Sequence, residues 1–282
     1  MYPDRGVPPV YYDYQNYPYP PRQTPPGGLI LRSVNWVVVV AFIAVMALAA
    51  YALVLNPGAW RIPGTLILIV TGWVFSLCLH EFAHAATAVM GGDRSPSTLS
   101  YLTFNPLKYL HPVFSIVMPV IFLFLGFIPL PGGAVYLRRD LVRSRGWQSA
   151  ISAAGPLMNL LFGIACAIPF FLNVLAPYPV LSAALAALVF LEFLAVILNL
   201  LPVPGLDGFG IITPWLSRGT LTAIAPFINY GPMLLFVLIL AVPGVFVFLY
   251  GIVSVMLLAV HVDPYLAGLG ISAFSILNRG GL

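Results

Sequence analysis

The 282-residue chain carries 12 basic and 8 acidic side chains, 7% charged residues in all, against 61% hydrophobic residues and a mean hydropathy of +1.00. So few charges cannot cover the surface of a soluble globule, and the composition indicates an integral membrane protein. The formal charge of +4 does not call for a nucleic-acid partner, because ten of the 12 basic residues flank hydrophobic runs in the manner of cytoplasmic anchors.

Residues 1–32 open the chain with eight of the 27 prolines and six of the 14 tyrosines and almost no aliphatics, a composition that predicts a disordered tail. No short apolar segment with a small-residue cleavage site follows the start, so the run 34–55 is expected to remain as a membrane helix. Further runs long enough for about 30 Å of hydrocarbon lie near 63–90, 150–172, 180–201 and 231–260, with a shorter one over 113–128. Between them "STLSYLTF" and "GGAVYL" read as short strand-like runs, and Pro243 and Gly244 interrupt the last block, which we expect to be one kinked helix. Cys78 and Cys166 lie inside apolar runs with no second thiol at motif spacing and read as small core residues. The fold class expected is an all-α polytopic membrane protein of about five or six membrane helices, with a short re-entrant, β-like collar between the second run and the next.

The second run contains His80, Glu81 and His84 in the pattern H-E-x-x-H. On a helix the spacing of four brings both imidazoles to one face, suited to two ligands of one zinc ion, and Glu81 is placed to act as general base toward a water in the open position. With four His and two Glu in the chain, chance predicts about 0.0004 occurrences of this pattern, so coincidence does not explain it. A metal ion also offsets the cost of a charged acid in apolar sequence, which satisfied core histidines would not do.

A catalytic zinc site takes a third protein ligand. His111, His261, Glu192, Asp207 and Asp263 are the remaining candidates in or beside apolar sequence. Asp207 is the strongest, because it lies in "NLLPVPGLDGFG", where two prolines and three glycines break a hydrophobic helix. Such a break is tolerated at membrane depth only where it is buried in protein or lines a water-filled cavity.

The motifs "HEFAH" at 80–84, "LTFNPLKYL" at 102–110, "PGGAVYL" at 131–137, "AAGPLMNL" at 153–160 and "NLLPVPGLDG" at 199–208 resemble, in order, those of site-2 proteases, the zinc intramembrane metalloproteases. The resemblance covers about 60–210. It implies that His80, His84 and Asp207 bind one zinc per chain and that Glu81 activates the water. It further implies that Asn159 faces the site and helps hold the substrate backbone or the developing oxyanion, with Asn199 as a supporting residue. Two positions depart from the family pattern: Lys108 to His111 stand where many relatives carry His and Asp, and Glu192 stands where many carry Asn. Glu192, an intramembrane acid two turns from Asn199, is a candidate for a structural carboxyl or for a role near the site. No stretch resembles the PDZ or paired nucleotide-sensing modules of some relatives. The domains expected are the tail 1–32, a first membrane helix and loop 33–62, a catalytic core 63–217 and a C-terminal membrane helix region and tail 218–282.

Topology constrains this further. If 113–128 crossed the bilayer, Asp207 would reach the opposite face from the histidines. If it is re-entrant or peripheral, Asp207 arrives beside them, and the basic residues then divide 10 inside to 2 outside, with the N-terminal tail cytoplasmic. The collar 91–149 could then pair with an unwound substrate by strand addition. His261 and Asp263 are expected at the interface. The function implied is cleavage of the membrane segments of membrane-tethered proteins in a cell membrane, with a single-pass substrate and the lipid bilayer as partners; the Arg-rich basic set suggests a bacterial source. A zinc transporter is the main alternative, but no repeat and no path of polar groups across both leaflets is visible. A catalytically silent scaffold is the other, against which stand the complete H-E-x-x-H and L-D-G elements.

Overall fold

The computed structural model describes residues 27–109, 137–228 and 230–278. The run 113–128, most of "GGAVYL", His111 and the first 26 residues lie outside them. Two long helices open the fold: α2 (Trp36–Leu55) and α3 (Pro57–Gly91), preceded by the short α1 (Gly27–Ser33) at the end of the expected tail. A single residue turns α2 into α3. Asn56 gives its N–H to the Ala52 carbonyl at the end of α2, its side-chain oxygen accepts from the Ala59 N–H at the start of α3, and Pro57 sits where a helix needs no N–H donor.

After α3 comes α4 (Pro96–Ser100), then α5 (Arg145–Phe171), α6 (Pro179–Leu200), α7 (Asp207–Ile212), α8 (Arg218–Ile224), α9 (Gly231–Ala241), α10 (Pro243–Ala259) and α11 (Pro264–Asn278). Among the described residues four helices, α2, α3, α5 and α6, are long and apolar enough to cross a membrane, or up to six spans if each of two bent pairs counts as one. The four match the predicted runs to within a few residues. No strand forms among the described residues.

The strand-like reading of "STLSYLTF" therefore gives way to α4 and a following turn. The cause is local: Ser95 caps the Thr98 N–H, Pro96 occupies the first turn, and the buried Asp93 carboxylate accepts from the Ser95 N–H, the Thr98 hydroxyl and the Arg138 N–H. Gly92, at φ 119°, ends α3 in a conformation only glycine adopts freely, and Arg143 closes the end by donating to the carbonyls of Met90 and Gly91. These contacts tie residues 137–143 beneath α3 and fix where α5 begins.

Helix α6 is the centre of the bundle, with Ala184, Ala186, Ala187, Leu188 and Val189 fully buried. Lipid offers no hydrophobic drive to bring helices together, so close approach rests on small residues. A Cβ on Gly72 of α3 would strike Leu188, and one on Gly270 of α11 would strike the carbonyl of Ala183. Helix α2 by contrast buries only Ala49 and Leu53.

The interruption expected in 231–260 falls at Val242, between α9 and α10, where Pro243 starts a new helix. The residues beyond 260 differ from the expected interfacial tail: α11 folds back, with its axis turned 115° from that of α10, and packs on α6 and α3. A run of 15 residues with small side chains facing α6 explains it, since it is too short to have read as a span.

Candidate metal centre

His80 and His84 lie on the C-terminal half of α3, about 10–16 Å from its end at 1.5 Å per residue, both nearly fully buried. Their Nε2 atoms face one another at 3.0 Å. Asp207 arrives from the break after α6. Leu201, Pro202 and Pro204 stop that helix, Gly205 turns the chain at φ 92°, and Gly208 lies so close to the carbonyls of Leu200 and Leu201 that no side chain fits. Asp207 thus becomes the first residue of α7, with Oδ2 3.2 Å from His80 Nε2 and Oδ1 3.3 Å from His84 Nε2. The three donors all lie within 4.8 Å of one another.

The far side of each ring is occupied. His84 Nδ1 is 2.6 Å from the carbonyl oxygen of Ile151, which can only accept, so this ring carries its proton on Nδ1. His80 Nδ1 is 2.5 Å from the side-chain oxygen of Asn159. Both Nε2 atoms are thereby turned toward Asp207, the arrangement by which metal-binding histidines are held. Gly155 of α5 lies beneath them, and a Cβ there would collide with the Nε2 of both rings.

Glu81 is buried one residue from His80, and its carboxyl has no hydrogen bond among the described residues. Helix α7 is held against α5 by Ser149, which donates to the Ile211 carbonyl and accepts from the Trp215 indole.

Asn159 is next to the site, with its amide engaged within the protein: the oxygen on His80, the nitrogen on Ser76 and Glu192. Glu192 joins this cluster from α6. Asn199, in the last turn of α6, is half-buried and makes no side-chain hydrogen bond among the described residues. His261 and Asp263 are at the other end of α5, where the His261 ring packs on Phe171 and Asp263 caps the start of α11. Sequence reasoning missed Ser76 and Gly155. Ser76 had a signal, since it precedes His80 by one helical repeat of four; Gly155 stood inside a motif without its steric reason.

The chain is similar to "Putative zinc metalloprotease Rip2" of Mycolicibacterium smegmatis, 42% identical over 182 residues that make up 63% of this chain and 68% of that protein. It is 40% identical over 178 residues to the protein of the same name from Mycobacterium tuberculosis H37Rv, again covering 63% and 68%. The chain belongs to the site-2 protease family. "Putative zinc metalloprotease YwhC" of Bacillus subtilis is 30% identical over 189 residues, 64% of this chain and 83% of that protein. No family model and no solved structure matches the chain. As a site-2 protease it is a metalloprotease built on several helices apolar enough to cross a membrane, and its relatives are bacterial.

Proposed function

We propose that the protein cleaves membrane-spanning segments of tethered proteins with one zinc ion per chain, held by His80, His84 and Asp207. The convergence of these three donors carries the reading. A tetrahedral site with arms of about 2.0–2.1 Å has edges of roughly 3.3 Å, and the donors stand 3.0, 3.2 and 3.3 Å apart. With both Nδ1 atoms engaged elsewhere and no Cβ at Gly155, two neutral imidazoles and a carboxylate fit zinc in charge, type and spacing.

Zinc bound there would polarise the scissile carbonyl and acidify the attacking water. The chain's own residues supply the rest. Glu81 takes a proton from the water as its oxygen attacks the carbonyl carbon, and delivers it to the amide nitrogen as the C–N bond breaks. The surrounding apolar helices exclude bulk water, so that charge on Glu81 is felt strongly at the reacting atoms. A helical substrate hides its carbonyls in i to i+4 bonds and must loosen before one can reach the site. A single-pass segment with helix-breaking residues is the substrate that meets this need. The N-terminal tail and the collar lie on the cytoplasmic side, in keeping with the 10 to 2 division of basic residues.

Purified protein in lipid, incubated with a tagged single-pass substrate, should release a fragment, and Glu81→Gln should retain zinc while releasing none. Cleavage by Glu81→Gln at the wild-type rate would reject Glu81 as base. Zinc accumulation inside sealed proteoliposomes without cleavage would replace the protease reading by transport.

A further inference from the structure

Glu192 is 0% exposed at membrane depth, where an acid costs several kcal/mol, and the proposed chemistry does not use it. It reaches from α6 into the contact between α3 and α5. One carboxyl oxygen, Oε2, accepts from the Ser76 hydroxyl and, at 3.1 Å, from the side-chain nitrogen of Asn159; Oε1 has no partner among the described residues. The same Asn159 nitrogen donates to Ser76 Oγ at 2.8 Å. Helix α5 comes close enough for this because Gly163 lies against the Cβ of Glu192, where a side chain would crowd it.

We propose that Glu192 is a positioning residue for the metal centre: its carboxyl orients the amide of Asn159, which holds His80 in the Nδ1–H form with Nε2 free to bind zinc. This rests on the metal site proposed above. The argument is one of hydrogen-bond polarity. Glu192 Oε2 already accepts from the Ser76 hydroxyl, so as a carboxylate it offers Asn159 a lone pair and the amide turns its NH2 group toward it. The amide oxygen must then face His80, and an oxygen there requires a hydrogen on Nδ1. Turning the amide over would set two oxygens against each other at Glu192 and an N–H against Nδ1, moving the ring's own proton to Nε2 and removing a ligand. His84 needs no such device, because a backbone carbonyl fixes its tautomer. A leucine at 192 has a similar volume but offers no acceptor, and would leave the Asn159 amide free to turn.

The test measures zinc affinity of the full-length protein by competition with a chromophoric chelator, together with melting temperature. Glu192→Leu should bind zinc 10–100-fold more weakly, the usual effect of losing a partner behind a ligand, and Glu192→Gln, whose amide oxygen can accept in the same place, should stay within about threefold. Side-chain 15N NMR of the zinc-loaded wild-type protein should find the His80 ring with its proton on Nδ1 and its Nε2 bound to the metal. Unchanged affinity in Glu192→Leu, with or without a lower melting temperature, makes Glu192 merely structural and overturns the proposal. Glu192→Gln failing as badly as Glu192→Leu overturns it too. Should Glu192→Leu not fold, the wild-type spectrum decides, because a zinc-loaded His80 ring that ligates through Nδ1 contradicts the relay. Wild-type protein that holds no zinc sinks the metal centre and this inference with it, whereas zinc held equally by wild type and Glu192→Leu sinks this inference alone.

Discussion

His80 and His84 present Nε2 to each other across 3.0 Å while each gives its Nδ1 to a partner on α5. Two lone pairs held face to face repel unless a proton or a metal ion lies between them and the adjacent Asp207 carboxylate. In the function proposed above, zinc takes that place.

Replacing Asp207 by Asn removes the charge that completes the donor set. Zinc affinity should fall by more than about 100-fold, beyond the effect expected of an outer partner. Elemental analysis after dialysis against a weak chelator checks this, and full zinc retention would assign the third ligand elsewhere.

Chelation itself should abolish cleavage reversibly. Stoichiometric zinc should restore it, and titration should saturate at one ion per chain; saturation at two would require a second site.

Gly155→Ala sets two principles against each other. By helix propensity alone alanine is worth about 1 kcal/mol over glycine. Its Cβ would meet the Nε2 of both imidazoles, however, so we expect zinc affinity to fall by on the order of 100-fold and cleavage to be lost even if the apoprotein melts no lower. An alanine variant with normal zinc content would show that the rings can move aside.

On α11, Gly270→Val and Gly268→Val form a matched pair. The first drives a side chain into the backbone of α6 at Ala183, an overpacking worth about 1–3 kcal/mol or more, whereas a Cβ at Gly268 meets nothing within 4 Å. Thermal unfolding in detergent should separate them, and equal melting temperatures would remove α11 from the structural core.

Much of this protein was legible in its sequence because the deciding relationships were local. Apolar runs of span length give α2 and α6 to within two residues and α3 and α5 to within about six, since the bilayer sets their length. The spacing of His80 and His84 fixes their shared face through the helical repeat, and the Pro and Gly residues before Asp207 announce a broken helix. "STLSYLTF" failed as strand because side-chain capping by Ser95 and Asp93 outweighed its alternation. The 15 residues of α11 fell below the length at which hydropathy alone speaks.

Tertiary structure alone decided what the polar groups do to one another. No periodicity says that Asn159 meets His80 with its oxygen, that Glu192 and Ser76 share its nitrogen, or that Gly155 must stay bare beneath two rings. Those facts depend on how α3, α5 and α6 pack, at distances where one added methyl group or one turned amide separates a ligand from a bystander.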